Sequence, residues 1–221
     1  MRTLRIVLLM TVLGLITSSA VVSAAEAGSS LQDSENPPNF KELWKRVEQA
    51  DTSVDFTALR MAYTRTSEYD PYDPERQDLR SDMDAAFNAN DFSTAAELAN
   101  RLIKRDPLQT DAYIVLDVSY EQMGDTAKSR FHHFVANGLI HSVISSGNGL
   151  SRDSAFKVIS TDEEYIILNF LGVDLLRQAL VEEKDHSYDV MTVKDASKDS
   201  TYDLYFNIDI QMNALKSKLK D

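Results

Sequence analysis

The segment Ser145-Ser-Gly-Asn-Gly-Leu-Ser151 combines small hydroxyl side chains with two glycines. Such a loop can aim successive backbone N–H groups at an anion, and Ser146 is of the type that serves as a nucleophile. The spacing departs from the known versions of that chemistry. No phosphate-loop lysine follows, the Rossmann glycine pattern is missing, and no Gly-x-Ser-x-Gly run exists. The competing reading is a tight turn from helix to strand, with glycine supplying positive φ. A second cluster is His132, His133 and His141, three of the four histidines, whose side chains zinc would need to converge. Asp162, Glu163 or Glu164 would complete its ligands. His132 and His133 are adjacent on a helical stretch and point about 100° apart, so only one can face a given site. His133 and His141 straddle the helix end and can share a pocket, whereas helix-end packing is the commoner role for histidine. A third cluster, Asp162-Glu-Glu-Tyr165, offers an acid pair to a metal or simply acid to a helix N-terminus, where the macrodipole favours it. The candidate pocket is thus His133, His141, Ser146, Asn148 and Glu164, where helices would meet a sheet. No catalytic set is assembled from these groups, and neither a metal nor another cofactor is expected.

The elements that must position these groups follow from periodicity. Phe40, Leu43, Trp44 and Val47 recur at helical spacing, as do Phe56, Leu59 and Tyr63. Tyr69-Asp-Pro-Tyr-Asp-Pro74 cannot be regular, because each proline lacks an N–H and restricts the residue before it. It reads as a stiff strap over Trp44 and the first helices, or as a tyrosine recognition surface. From Glu75 to Leu139 four helices are predicted, the second with Asp91 as N-cap and Ala95, Leu98, Ala99, Leu102 and Ile103 on one face. Asp106-Pro107 should cap and open the third, and Gly138 should end the fourth. After Gly149 the pattern changes. Ala155–Ser160 and 175–182 suit strands, with one or two helical turns over 162–171 between them. A strand at 188–193 follows, and residues 202–210 alternate apolar and polar. The tail from Met212 reads as a basic helix. The expected class is α+β: N-terminal helices followed by a small antiparallel sheet.

Bulk properties bound the function. The chain has 221 residues, a net charge of −12 and no cysteine. Disulfides and lipoprotein acylation are excluded. Arg2, Arg5, the apolar run from Ile6 to Ile16 and Val22-Ser-Ala24 read as a cleavable export signal. Its removal takes two arginines and no acid, leaving −14. Such acidity repels phosphate backbones, and no basic stripe with interleaved aromatics exists, so nucleic acid is not an expected partner. The predicted organisation is a signal at 1–24, a linker at 25–38, helices over 39–149 and a β region with C-terminal helix over 150–221. With the signal cleaved, no segment spanning a membrane is expected, and the protein belongs in the periplasm or the medium.

Asn90-Asp91-Phe92 with Ala95 realigns onto Gly124-Asp125-Thr126 with Ser129 at an offset of 34 residues. The offset is the tetratricopeptide period, and Phe92, Ala95 and Pro107 keep that family's spacing. Tyr113, Leu116, Tyr120, Gly124 and Asp125 follow it in the next unit, while Ser129 and Asp117 depart from it. The helical part therefore resembles about two tetratricopeptide units. Since three are normally needed for a stable stack, the N-terminal helices or the sheet must cap them. The resemblance implies a non-enzymatic protein- or peptide-binding groove lined by Tyr113, Asp117 and Tyr120, with a partner in the cell envelope. The alternative is an enzyme or small-ligand binder using the candidate pocket. The chain also resembles a family of exported bacterial proteins, domain of unknown function 4919. The resemblance rests on Asp55-Phe56 through Tyr63, Tyr69–Tyr72, Gly124-Asp125, Ser145–Gly149, Ala155-Phe156, Val158-Ile159, Glu163-Glu164-Tyr165 and Tyr205–Asn207. In that family the loop reads Ser-Gly-Asp-Gly-Lys. Here Asn148 and Leu150 replace the acid and the lysine, so any chemistry of that pair is absent.

Overall fold

Aspartate opens four of the helices. In the computed structural model, which describes residues 39–219, Asp55, Asp73, Asp91 and Asp125 each accept a backbone N–H of the following first turn. The helices are α1 (Phe40–Glu48), α2 (Phe56–Tyr63), α3 (Pro74–Asn88), α4 (Phe92–Arg105), α5 (Thr110–Gln122) and α6 (Thr126–Ile144). Then come β1 (Phe156–Lys157), α7 (Thr161–Leu171), β2 (Asp174–Glu183), β3 (His186–Asp195), β4 (Ser200–Asn207) and α8 (Asp209–Lys218). The chain is thus α+β, with helices first and a four-stranded sheet after them. The expected signal at 1–24 and the linker at 25–38 lie outside the described residues. Among the described residues no helix is long and apolar enough to cross a membrane.

The two turns 34 residues apart share one backbone geometry. Asn90 (φ 59°) and Gly124 (φ 82°) occupy the left-handed position after α3 and α5. Asp91 and Asp125 then donate their N–H groups to Ala86 and Tyr120 carbonyls at 3.0 and 2.8 Å, while Asn90 and Gly124 donate to Phe87 and Glu121 at 3.0 Å each. The bond pair is that of a Schellman ending, which satisfies the last helical carbonyls and turns the chain into the next cap.

Three apolar clusters meet on α5, and α6 enters two of them. Leu43, Val47, Leu59 and Tyr63 of α1 and α2 pack on Tyr113 and on Val135 and Leu139 of α6. Met83, Ala95, Ala99, Leu102, Val115 and Leu116 join α3, α4 and α5. Farther along α6, Ile140 and Val143 pack with Ile166 and Ile167 of α7 on Met191, Val193, Leu204 and Phe206. Those four sheet residues alternate along β3 and β4 and so share one face.

Several boundaries differ from expectation. α6 continues through Gly138 to Ile144, because the glycine is needed for close approach rather than as a stop. A Cβ there would lie 2.4 Å from the Phe56 ring. Asp106 ends α4 and its Oδ1 accepts the Leu108 N–H at 3.0 Å, so Pro107 sits in the connection and α5 starts at Thr110 uncapped. The strand expected over 155–160 shrinks to two residues, paired parallel to β4, so the sheet (order β1-β4-β3-β2) is antiparallel only in its three long strands. α7 is eleven residues long, not one or two turns. β4 stops at Asn207 and Ile208 directly precedes α8; the alternation through Ile210 crossed a strand end because Ile208 packs in the core beside the sheet.

Candidate functional site

The first turn of α7 is where the polar groups gather. Successive helical residues point about 100° apart, so Asp162, Glu163, Glu164 and Tyr165 reach four different elements. Asp162 meets Arg80 and Arg76 of α3 and accepts the Gln109 amide at 3.2 Å. Glu163 takes both ends of the Arg60 fork, at 2.8 and 2.5 Å, and the Ile159 N–H at 2.9 Å. Arg60 and Glu163 are almost fully buried, at 1% and 5% side-chain exposure. The bidentate geometry and the extra N–H supply what such a pair needs to offset its desolvation. Glu164 accepts the Gln211 amide of α8 at 2.9 Å, and Tyr165 donates to Gln178 of β2 at 3.0 Å.

Burial first, and then the charge of Asp189, push the Glu164 carboxyl up to about 9. Its Oε2 has no hydrogen-bond partner. Asp189 lies on the helix-facing side of β3 and accepts the Gln178 amide at 2.8 Å. At neutral pH Glu164 therefore keeps its proton. Farther along the same polar seam, burial and the neighbouring Asp111 raise Asp84 to about 6. The three acids of α7 diverge, and among the described residues no group of three or more histidine or acidic side chains is arranged to hold a metal.

The other candidates are engaged locally. His133 is exposed, bonding Asp117 through Nδ1 at 2.8 Å and Asn137 through Nε2 at 2.7 Å. His141 is exposed with its ring edge-on to Phe170. His132 stacks on Tyr120, and burial holds its imidazole down to about 4. The Ser146 hydroxyl donates to the Val143 carbonyl at 2.6 Å and accepts the Lys157 N–H at 2.8 Å. The N–H groups of Asn148 and Gly149 do converge, but on the Ser154 carbonyl, at 3.0 and 2.8 Å. Asn148 Oδ1 accepts from Leu150 N–H and the Ser154 hydroxyl. Among the described residues no hydrogen bond or ion pair joins any two of His133, His141, Ser146, Asn148 and Glu164.

Of the expected groove residues, Tyr113 is 1% exposed and donates to the Pro107 carbonyl, so it is core and lines no open surface. The reason is that α5 is enclosed by α3, α4, α6 and α7. Asp117 accepts from Ser129 at 2.7 Å, and Tyr120 lies under the Lys128 ammonium. A concave surface lies elsewhere. A cleft of about 610 Å³ runs between α3 and α4, lined by Glu75, Asp78, Leu79 and Asp82 on one side and Arg101, Lys104 and Arg105 on the other. Arg105 pairs with Asp73 and Glu75. Among the described residues Asp78, Asp82, Arg101 and Lys104 have no ion-pair partner. Their spacing was a usable signal: like charges at i, i+4 on α3 and at i, i+3 on α4 oppose folding locally.

The chain matches the family described as domain of unknown function (DUF4919) over residues 26–217, and it belongs to that family. No curated protein and no solved structure matches it. The family-like segments are spatially linked here. Arg60 meets Glu163, Tyr69 donates to the Ile159 carbonyl at 2.5 Å, and the Gly149 carbonyl accepts the Tyr205 N–H at 2.8 Å.

Proposed function

We propose that the chain is a non-enzymatic protein- or peptide-binding module whose contact surface is the charged cleft between α3 and α4. The observation that carries this reading is the row of four unpaired charges around that cleft, acids on one wall and bases on the other. A peptide laid along it would meet opposite signs on its two sides, which fixes orientation and register more than it adds affinity. The repeated helix-pair turn supports the reading by analogy, since tetratricopeptide stacks mostly bind peptides. The export signal read at residues 1–24 implies that the partner belongs to the cell envelope or the medium.

The test is cross-linking in the native host followed by capture of the tagged protein. D78K/D82K and R101E/K104E should each abolish capture of the main partner while moving the melting temperature by no more than a few degrees. Capture that survives both double variants would overturn the assignment.

One observation favours a second reading, a small-ligand or enzymatic site at the helix–sheet junction: the buried, unpartnered oxygen of Glu164 opposite Asp189. Native mass spectrometry of the purified chain would reveal a bound small molecule, and its loss in Glu164→Gln would support that alternative.

A further inference from the structure

We propose that this protein forms a two-fold symmetric dimer in which β2 pairs antiparallel with β2 of a second copy, centred on Leu180. The two edges of the sheet are treated differently. β1 is only two residues long, and its Lys157 N–H is already satisfied by the Ser146 hydroxyl. β2 at the other edge is ten residues long. Among the described residues, no backbone hydrogen bond from another element reaches its outer side over 176–183. It contains neither proline nor lysine, and its one irregularity lies at the start, between Leu175 and Arg177. From Arg177 onward neither proline, lysine nor a bulge blunts this edge, and its three charges, Arg177, Glu182 and Glu183, are of both signs. The strand itself carries exposed apolar surface, with Leu176 and Leu180 58% and 56% exposed.

The register follows from the hairpin. Glu183 pairs with His186 across a two-residue loop, and in such a hairpin the closing pair is a hydrogen-bonded one. Residues 183, 181 and 179 therefore bond inward to β3, while Gln178, Leu180 and Glu182 direct their N–H and C=O groups outward. A sheet continued through a two-fold axis must place opposing residues on the same face. Centring on Leu180 meets that condition with Leu180 exchanging both hydrogen bonds with its own copy. It also sets Arg177 opposite Glu183 twice, Gln178 opposite Glu182 and Ala179 opposite Val181. No like charges oppose one another. Glu183 already has Arg152 as a partner on its own chain, so the second arginine joins an existing pair. The self-complementary pattern is what selects a second copy rather than an unrelated strand.

Sedimentation equilibrium of the purified chain tests this. The native protein should show a concentration-dependent monomer–dimer equilibrium. Arg177→Glu places two acid pairs in opposition and should weaken the dimer about tenfold. Glu183→Arg should do the same, and an equimolar mixture of the two variants should restore a heterodimer. Leu180→Pro removes an outward N–H, a position where proline leaves the parent sheet intact, and should give a monomer with an unchanged circular dichroism spectrum. A native chain that stays monomeric at the highest concentration reached would overturn the proposal. So would a dimer whose constant ignores both Arg177→Glu and Leu180→Pro.

Discussion

The fold shifts the protonation of Glu164 strongly. Its folded pKa of about 9 lies far above the ordinary value of 4.5. Between those values the folded chain keeps a proton that the unfolded chain has released. Stability from this group is thus complete below pH 4.5, falls as pH rises, and is gone above about 9. The slope is at most about 1.4 kcal/mol per pH unit. Glu164→Gln removes the titration and should flatten this part of the pH–stability curve, leaving the variant more stable than the native chain at pH 8. Urea unfolding from pH 5 to 9 measures it; parallel curves for the two proteins would refute the assignment. His132 acts in the opposite direction. Held near 4 against an ordinary 6.5, it supports the fold above pH 6.5 and withdraws that support as pH falls toward 4. The acid run in α7 was legible as a helix start. That one of its acids faces Asp189 and Gln211, from elements far along the chain, was not, because nothing local in the sequence encodes which strand lies opposite.

At the scale of elements, the crossing of α2 and α6 is set by one missing methyl group. Gly138→Ala gains up to about 1 kcal/mol of helix propensity. It also drives a Cβ into the Phe56 ring, which is itself 8% exposed and edge-on to Phe134. Overpacking of this kind costs about 1–3 kcal/mol, so the net effect should be destabilising. Phe56→Leu in the same chain should recover much of the loss, and a double-mutant cycle in urea measures the coupling. A stabilised single variant would show that the helices can slide apart at no cost. Sequence periodicity alone favoured ending the helix at this glycine. A glycine that stops a helix and one that admits a neighbour look the same until the neighbour is placed.

Across the whole molecule, the described residues 39–219 fall within one compact unit. α6 is shared between the helical cluster and the sheet cluster, and Arg60–Glu163 ties α2 to α7. The helices and the sheet should therefore unfold together. Trp44, the single tryptophan, reports on α1, while circular dichroism averages over the chain. Their urea midpoints should coincide. Two separated transitions would mean that the sheet and the helical layer are stable apart.

What the sequence determined by itself is what is written in short-range spacing: the presence of the helices, the Asp91 and Asp125 caps, the likeness of the two turns 34 residues apart and the alternation of the last strand. Each depends on neighbours within a few residues, so the information is local. The tertiary structure alone decided that Tyr113 is core rather than groove, that the loop N–H groups spend themselves on the Ser154 carbonyl, and that the unpaired charges border the α3–α4 cleft. Those outcomes depend on which surfaces meet, and that is set by the joint packing of clusters built from segments a hundred residues apart.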